Sequence, residues 1–149
     1  PEHPTVAVRQ SNLANVYSDL GQYEKACDLL EAALASDLKN FGPEHPNVAV
    51  RQSNLALVYR NLGQYEKARE LLEAALASDL KNFGEEHPMV ALFQNNLAFT
   101  LKDLGEDNFA IQIMQKAYTT RLKLLGPEHP HTKSSAKTLR DWGIEPDTP

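Results

Sequence analysis

Histidine recurs in this chain at a fixed interval: His3, His45, His87 and His129 stand 42 residues apart, each inside a Glu-His-Pro triplet. An imidazole can ligate a metal or carry a proton near neutral pH, so this spacing is the first place to look for chemistry. Helices packed side by side lie about 8–10 Å apart, whereas zinc ligands sit about 2 Å from the ion. Histidines one repeat apart therefore cannot share a metal. Glu128, His129 and His131 fall in one turn but stop short of the usual four ligands. Cys27 has Arg69 as its counterpart 42 residues later, so the position is expected to be exposed and replaceable. Glu24, Asp28 and Glu31 share a helix with it and read as a solvated face. A phosphate-cradling glycine loop, a nucleophile elbow and a His-Glu-x-x-His helix are all missing from the sequence. Nothing here points to catalysis, a cofactor or a metal. A second set recurs at the same interval, Asn12, Asn54 and Asn96. Each amide offers a donor and an acceptor, which suits the alternating N–H and C=O groups of an extended backbone.

The whole chain narrows the partners. Its 149 residues are 42% hydrophobic, enough to fill a core without disulfides or metals. Fifteen basic against twenty acidic residues leave a net charge of −5, which argues against phosphate neutralisation on nucleic acid. No apolar run approaches the roughly 20 residues of a membrane span, and the N-terminus carries no signal-peptide pattern. A single cysteine fits a reducing compartment, so the cytoplasm is the expected location.

The elements that would position these side chains follow from the repeat itself. Residues 1–42 and 43–84 differ at only six positions, Thr5/Asn47, Asn15/Leu57, Ser18/Arg60, Asp19/Asn61, Cys27/Arg69 and Asp28/Glu70. Residues 85–126 match the second repeat at 16 positions, and 127–142 begin a fourth before a tail over 143–149. In each repeat Pro4, Pro46, Pro88 or Pro130 opens a first helix, where a missing N–H removes no intrahelical bond. Val6, Gln10, Leu13, Tyr17 and Leu20 make its expected core stripe, with Gln10 the polar exception. Gly21 ends it. A second helix starts near Tyr23 and carries Ala26, Leu29, Leu30, Ala33, Leu34 and Leu38 inward until Gly42 and Pro43 stop it. One such hairpin buries too little alone, so the hairpins must stack.

The pattern Leu13-Ala14-x2-Tyr17, then Gly21-x-Tyr23-x2-Ala26-x3-Leu30-x2-Ala33, resembles the tetratricopeptide repeat. The 42-residue length and the Glu-His-Pro opening resemble its kinesin light chain type, also seen in bacterial arrays, and the near-identity of the first two repeats favours the bacterial kind. The resemblance spans nearly the whole chain. It departs at Gln10, Gln52 and Gln94, where the family often has tryptophan, and at Asp107, where the first repeat has Tyr23. It implies an all-α, right-handed superhelical solenoid of antiparallel helical hairpins, one repeat domain over residues 1–149, and a non-enzymatic protein or peptide binder. Partners of this family lie in the concave groove lined by the first helices, at positions matching Asn12, Asn54 and Asn96. A spacer or self-assembly module within a longer signalling protein is the alternative.

The helical wheel supplies a face for that groove. Val8, Asn12, Asn15 and Asp19 lie opposite Val6, Leu13 and Tyr17, with Ser11 beside them. The second repeat gives Val50, Ser53, Asn54, Leu57 and Asn61, and the third Leu92, Asn95, Asn96, Phe99 and Asp103. Leu57 and Phe99 replace Asn15, which makes the face more apolar and pocket-like. Arg60 and Lys102 replace Ser18 at its flank, where they would favour acidic ligand residues. The competing assignments are contacts to neighbouring helices for the asparagines and apolar residues, and solvated surface charge for the cations. Residues 127–142 are expected to cap the array, with Leu139 and Trp142 at the positions of Leu13 and Val16. Lys133, Ser134, Ser135, Lys137, Thr138 and Arg140 would keep its outer faces wet, and the tail from Ile144 would be mobile. At the other end, Val16 and the rims of Leu13 and Leu20 have no preceding hairpin to cover them, so weak homodimers through the first repeat are expected.

Overall fold

The computed structural model describes residues 3–147, which form seven α-helices and no strand. Pro1 and Glu2 of the first motif and the last two tail residues lie outside the described residues. In chain order the helices are α1 (Pro4–Asp19), α2 (Tyr23–Phe41), α3 (Pro46–Asn61), α4 (Tyr65–Phe83), α5 (Pro88–Asp103), α6 (Asp107–Leu125) and α7 (Pro130–Asp141). The chain divides into two compact units, Pro1–Ser78 and Asp79–Pro149.

Each helix boundary has a local cause. Proline at the first helical position has no N–H, so the first amide needing an acceptor belongs to the next residue. The preceding histidine supplies that acceptor: Nδ1 of His3, His45, His87 and His129 accepts the N–H of Thr5, Asn47, Met89 and His131, each at 3.1 Å. The recurring histidines are therefore N-caps, a role the sequence reading assigned to no residue. His45 and His87 also stack on Phe41 and Phe83, with ring centroids 4.5 and 4.2 Å apart. At the far end of α1, Gly21 takes φ +75° while its neighbour Gln22 returns its N–H to Tyr17 O at 2.8 Å. A Cβ at Gly21 would meet nothing within 4 Å, so backbone conformation alone selects glycine there.

In the first unit α1 packs on α2 through small side chains, Ala7, Ser11 and Ala14, spaced to fall on one stripe. Ala14 shares a core cluster with Ala26, Leu30, Leu55 and Val58. This corrects part of the expected stripe of α1, whose seam is made of smaller residues. Leu13, Val16 and Leu20 lie on the side a preceding hairpin would occupy and are 46%, 53% and 64% exposed, the exposure expected of that edge. The counterparts Leu55 and Val58 are 2% and 3% exposed, because the first hairpin covers them. On α2, Leu38 is exposed rather than buried, and Cys27, Ser36 and Asp37 join the interior.

In the second unit α6 packs between α5 and α7, around Ala98, Met114, Ala117, Tyr118, Ala136 and Leu139. Leu139 is fully buried as expected of a capping helix, and Trp142 packs against the same cluster. Ser135 is not on the wet face: it is fully buried and accepts a hydrogen bond from Arg121. The tail is not loose either. Ile144 joins the cluster, its N–H reaches Leu139 O at 2.8 Å, and Pro146 is buried. An apolar side chain next to an available helix-end carbonyl gains more by docking than by staying in water.

Candidate functional site

The face proposed for ligand contact is outward on the first helix of each repeat. On α1, Asn12 and Asn15 are exposed and Val8 is 49% exposed. On α3, Val50 and Leu57 are 36% and 38% exposed beside half-buried Asn54. On α5, Leu92 is 37% exposed and Asn96 is half-buried. An aliphatic side chain thus stands in water at the same repeat position three times, each a turn before an asparagine. Ser11 and Ser53 are not part of this face, since both are buried at 3% exposure. Asn95 is turned to other work, accepting a hydrogen bond from Arg121.

The flank is partly engaged within the fold. Phe99 meets the edge of Trp142 at 5.7 Å, and Lys102 lies 5.6 Å from the same ring and 3.2 Å from Asp107. Arg60 is half-buried. Leu57 therefore remains the more open of the two apolar substitutions, while α7 already occupies one side of Phe99.

Cys27 is buried rather than exposed. Its thiol contacts Glu31 Oε1 at 3.3 Å, and the Tyr59 hydroxyl donates to the same carboxylate oxygen. Burial, reinforced by Glu31, pushes the thiol up to about 11, and burial together with Glu31 likewise raises the Tyr59 hydroxyl above its ordinary range. The thiol is thus held protonated, which removes the thiolate a nucleophile needs. Arg69 is accommodated at the equivalent position because its long stem lets the guanidinium reach Glu73 at 2.6 Å near the surface. Glu31 is accordingly a working partner and not simply a solvated carboxylate.

One further position changes character along the chain. Asp37, 1% exposed, pairs with Arg51 at 2.8 Å. Its counterparts are Asp79 and Arg121, and those of Arg51 are Phe93 and Ser135. Asp79 is 1% exposed and its Oδ1 has no hydrogen-bond partner. Burial raises its carboxyl above the usual range, opposed by His87. Arg121 is 6% exposed and donates from Nη1 to Ser135 Oγ at 2.8 Å, Asn95 Oδ1 at 3.3 Å and His131 O at 3.4 Å. Among the described residues no cluster of His, Cys, Asp and Glu is placed to hold a metal, and no helix is long and apolar enough to cross a membrane.

Hairpins with small-residue seams, a proline-led first helix and glycine-ended turns define a helical-repeat protein. The tetratricopeptide repeat family model matches residues 5–81 and again 52–122, and the chain belongs to that family, in its kinesin light chain-like form. It is similar to the crystal structure of a putative kinesin light chain with nearly identical TPR-like repeats from Podosopora anserina, with a TM-score of 0.88 and 32% identity over 95% of this chain and 67% of that one. It is also similar to BtubC (BKLC) from P. vanneervenii, with a TM-score of 0.78 and 25% identity over 95% of this chain and 59% of that one. The N-terminal domain of stress-induced protein-1 from C. elegans shares the fold at a TM-score of 0.66 and 14% identity, over 94% of this chain and 96% of that domain. This chain spans about two thirds of the length of the Podosopora protein and less of BtubC. No curated protein sequence matches it significantly. Since the Podosopora protein also has nearly identical repeats, near-identity does not by itself indicate a bacterial array.

Proposed function

We propose that this chain binds an extended segment of a partner protein along the outward faces of its first helices. Tetratricopeptide repeats generally serve as protein–protein interaction modules. The observation that carries the finer reading is the recurrence of an exposed aliphatic residue beside an asparagine, Val8 with Asn12, Val50 with Asn54 and Leu92 with Asn96. The amides would hold backbone groups of the ligand, and Leu57 would receive an apolar side chain. Phe99 would offer a second apolar contact in its own unit, and Arg60 and Lys102 would each favour acidic ligand residues. No catalytic role is assigned to any residue, and the alternative of a spacer or self-assembly module rests on the exposed edge of α1.

A peptide selected by display against the whole chain tests this. Asn54→Ala and Leu57→Asp are expected to weaken it at least tenfold with an unchanged circular dichroism spectrum, while Glu70→Ala on α4 leaves it unaffected. Equal affinity for all three variants removes this face from consideration.

A further inference from the structure

We propose that the cavity beside Arg121 is a binding site for a carboxylate carried on a short alkyl stem. The cavity has a volume of about 170 Å³ and is walled by Met89, Leu92, Leu124 and Leu125, with Arg121 and His131 supplying its polar side. Arginine stays protonated in proteins, so a cation stands there. That cation is 6% exposed, and among the described residues no carboxylate lies within ion-pair distance of it. Its hydrogen bonds go to a hydroxyl, an amide oxygen and a backbone carbonyl, all neutral and all from one nitrogen, Nη1. Burial lowers the pKa of the guanidinium with no acidic neighbour to oppose the shift.

The first repeat shows what such a position holds when charges balance: Asp37 at the Arg121 position meets Arg51. The third repeat carries a cation where the first has its anion, and Ser135 where the first has its cation, so no anion of the fold meets Arg121. A buried guanidinium next to an apolar cavity selects a ligand with both properties, an anion to meet the unengaged edge of the fork and an alkyl stem against the leucines and Met89. The stem can belong to a free short-chain acid or to a glutamate side chain of a bound polypeptide. The cavity borders the proposed ligand face at Leu92 but does not rest on it.

Titration of the methyl-labelled whole chain with sodium butyrate, followed by NMR, tests the site. Saturable shifts of the Met89, Leu124 and Leu125 methyl signals are expected, with butyramide at least tenfold weaker. Acetyl-glutamate N-methylamide, compared with its glutamine analogue, separates the sources: binding as tight as butyrate assigns the site to a polypeptide side chain, and weaker binding to a free acid. Arg121→Met should abolish the preference for acid over amide. Leu125→Trp, which fills the cavity and leaves the Arg121 hydrogen bonds intact, should abolish binding altogether. Equal shifts with butyrate and butyramide, or undiminished butyrate binding in Leu125→Trp, overturn the proposal. Loss of peptide binding in Asn54→Ala with butyrate binding intact would keep the two readings apart.

Discussion

Arg51 on α3 places its Nε 2.8 Å from Oδ2 of Asp37 on α2, joining two side chains that are both nearly out of solvent. Removing one partner from such a pair strands the other charge, so Asp37→Asn is expected to lower stability by about 3 kcal/mol. Asp79 has the same place in the second repeat, with Phe93 at the arginine position and Oδ1 unpartnered. Asp79→Asn is expected to raise stability by about 1 kcal/mol, because a buried unpaired charge is removed. Urea denaturation of the two variants at neutral pH checks the opposite signs.

The same carboxylate fixes a pH dependence. Burial raises the Asp79 pKa in the folded chain, so the folded state holds this proton more tightly than the unfolded state does. Stability is then lost as pH rises from the ordinary carboxylate range through the raised folded value, and is regained on acidification over that window. In Asp79→Asn this component should vanish. Melting temperatures of the two proteins should converge at low pH and separate toward neutrality, whereas a constant gap would contradict the assignment.

The histidine caps give graded costs. His3→Ala should cost about 1 kcal/mol, the usual value of an N-cap. His45→Ala should cost more, because the ring also stacks on Phe41, and such ring pairs contribute about 0.5–1.5 kcal/mol. His45→Asn restores an acceptor without the stack and should fall between wild type and alanine. Denaturant midpoints for the three variants measure the order.

At the C-terminal end, Leu139 is fully buried in the cluster shared by α5, α6 and α7. Leu139→Ala is expected to cost about 3 kcal/mol through lost burial and the cavity left behind. Deletion of residues 127–149 should go further, lowering solubility as well as melting temperature. An unchanged melting temperature in a monodisperse truncated protein would show that α7 does not cap the fold.

The uncovered edge of α1 should self-associate weakly, two first repeats meeting about a twofold axis. Sedimentation velocity is expected to show the coefficient rising with concentration for the wild-type chain and flat for Val16→Glu. A strict monomer throughout, or a dimer indifferent to the substitution, sets this contact aside.

The helices were legible because proline, glycine and a 42-residue interval punctuate them, and the family was legible from the Leu13 to Ala33 pattern. Burial within them was less so. Apolar periodicity picks out large side chains, yet the hairpin seam is made of Ala7, Ser11 and Ala14, whose smallness admits a close neighbour. Cys27 read as exposed because Arg69 replaces it, and a long stem that carries charge back to water defeats that inference. The histidine caps could have been found from the Pro at N1, which moves the first amide needing an acceptor one residue along. Ile144 looked like a free tail because a single apolar residue carries no period. The exposed face with Val8, Asn12, Val50, Asn54, Leu57 and Leu92 was readable from the helical wheel, but its use of Ser11 and Ser53 was not.

The Asp37, Asp79, Arg121 series limits where the third repeat can stand. Between the first two copies nothing at these positions distinguishes one neighbour from another, because Asp37 and Asp79 are the same residue type, as are Arg9 and Arg51. The third copy is different: a chain rebuilt with it placed before the second would bring the helix of Arg121 to the helix of Arg51, two cations in one interior. One residue in the second helix of the third repeat thus acts as an address for the helix that follows, and it keeps that repeat last of the three.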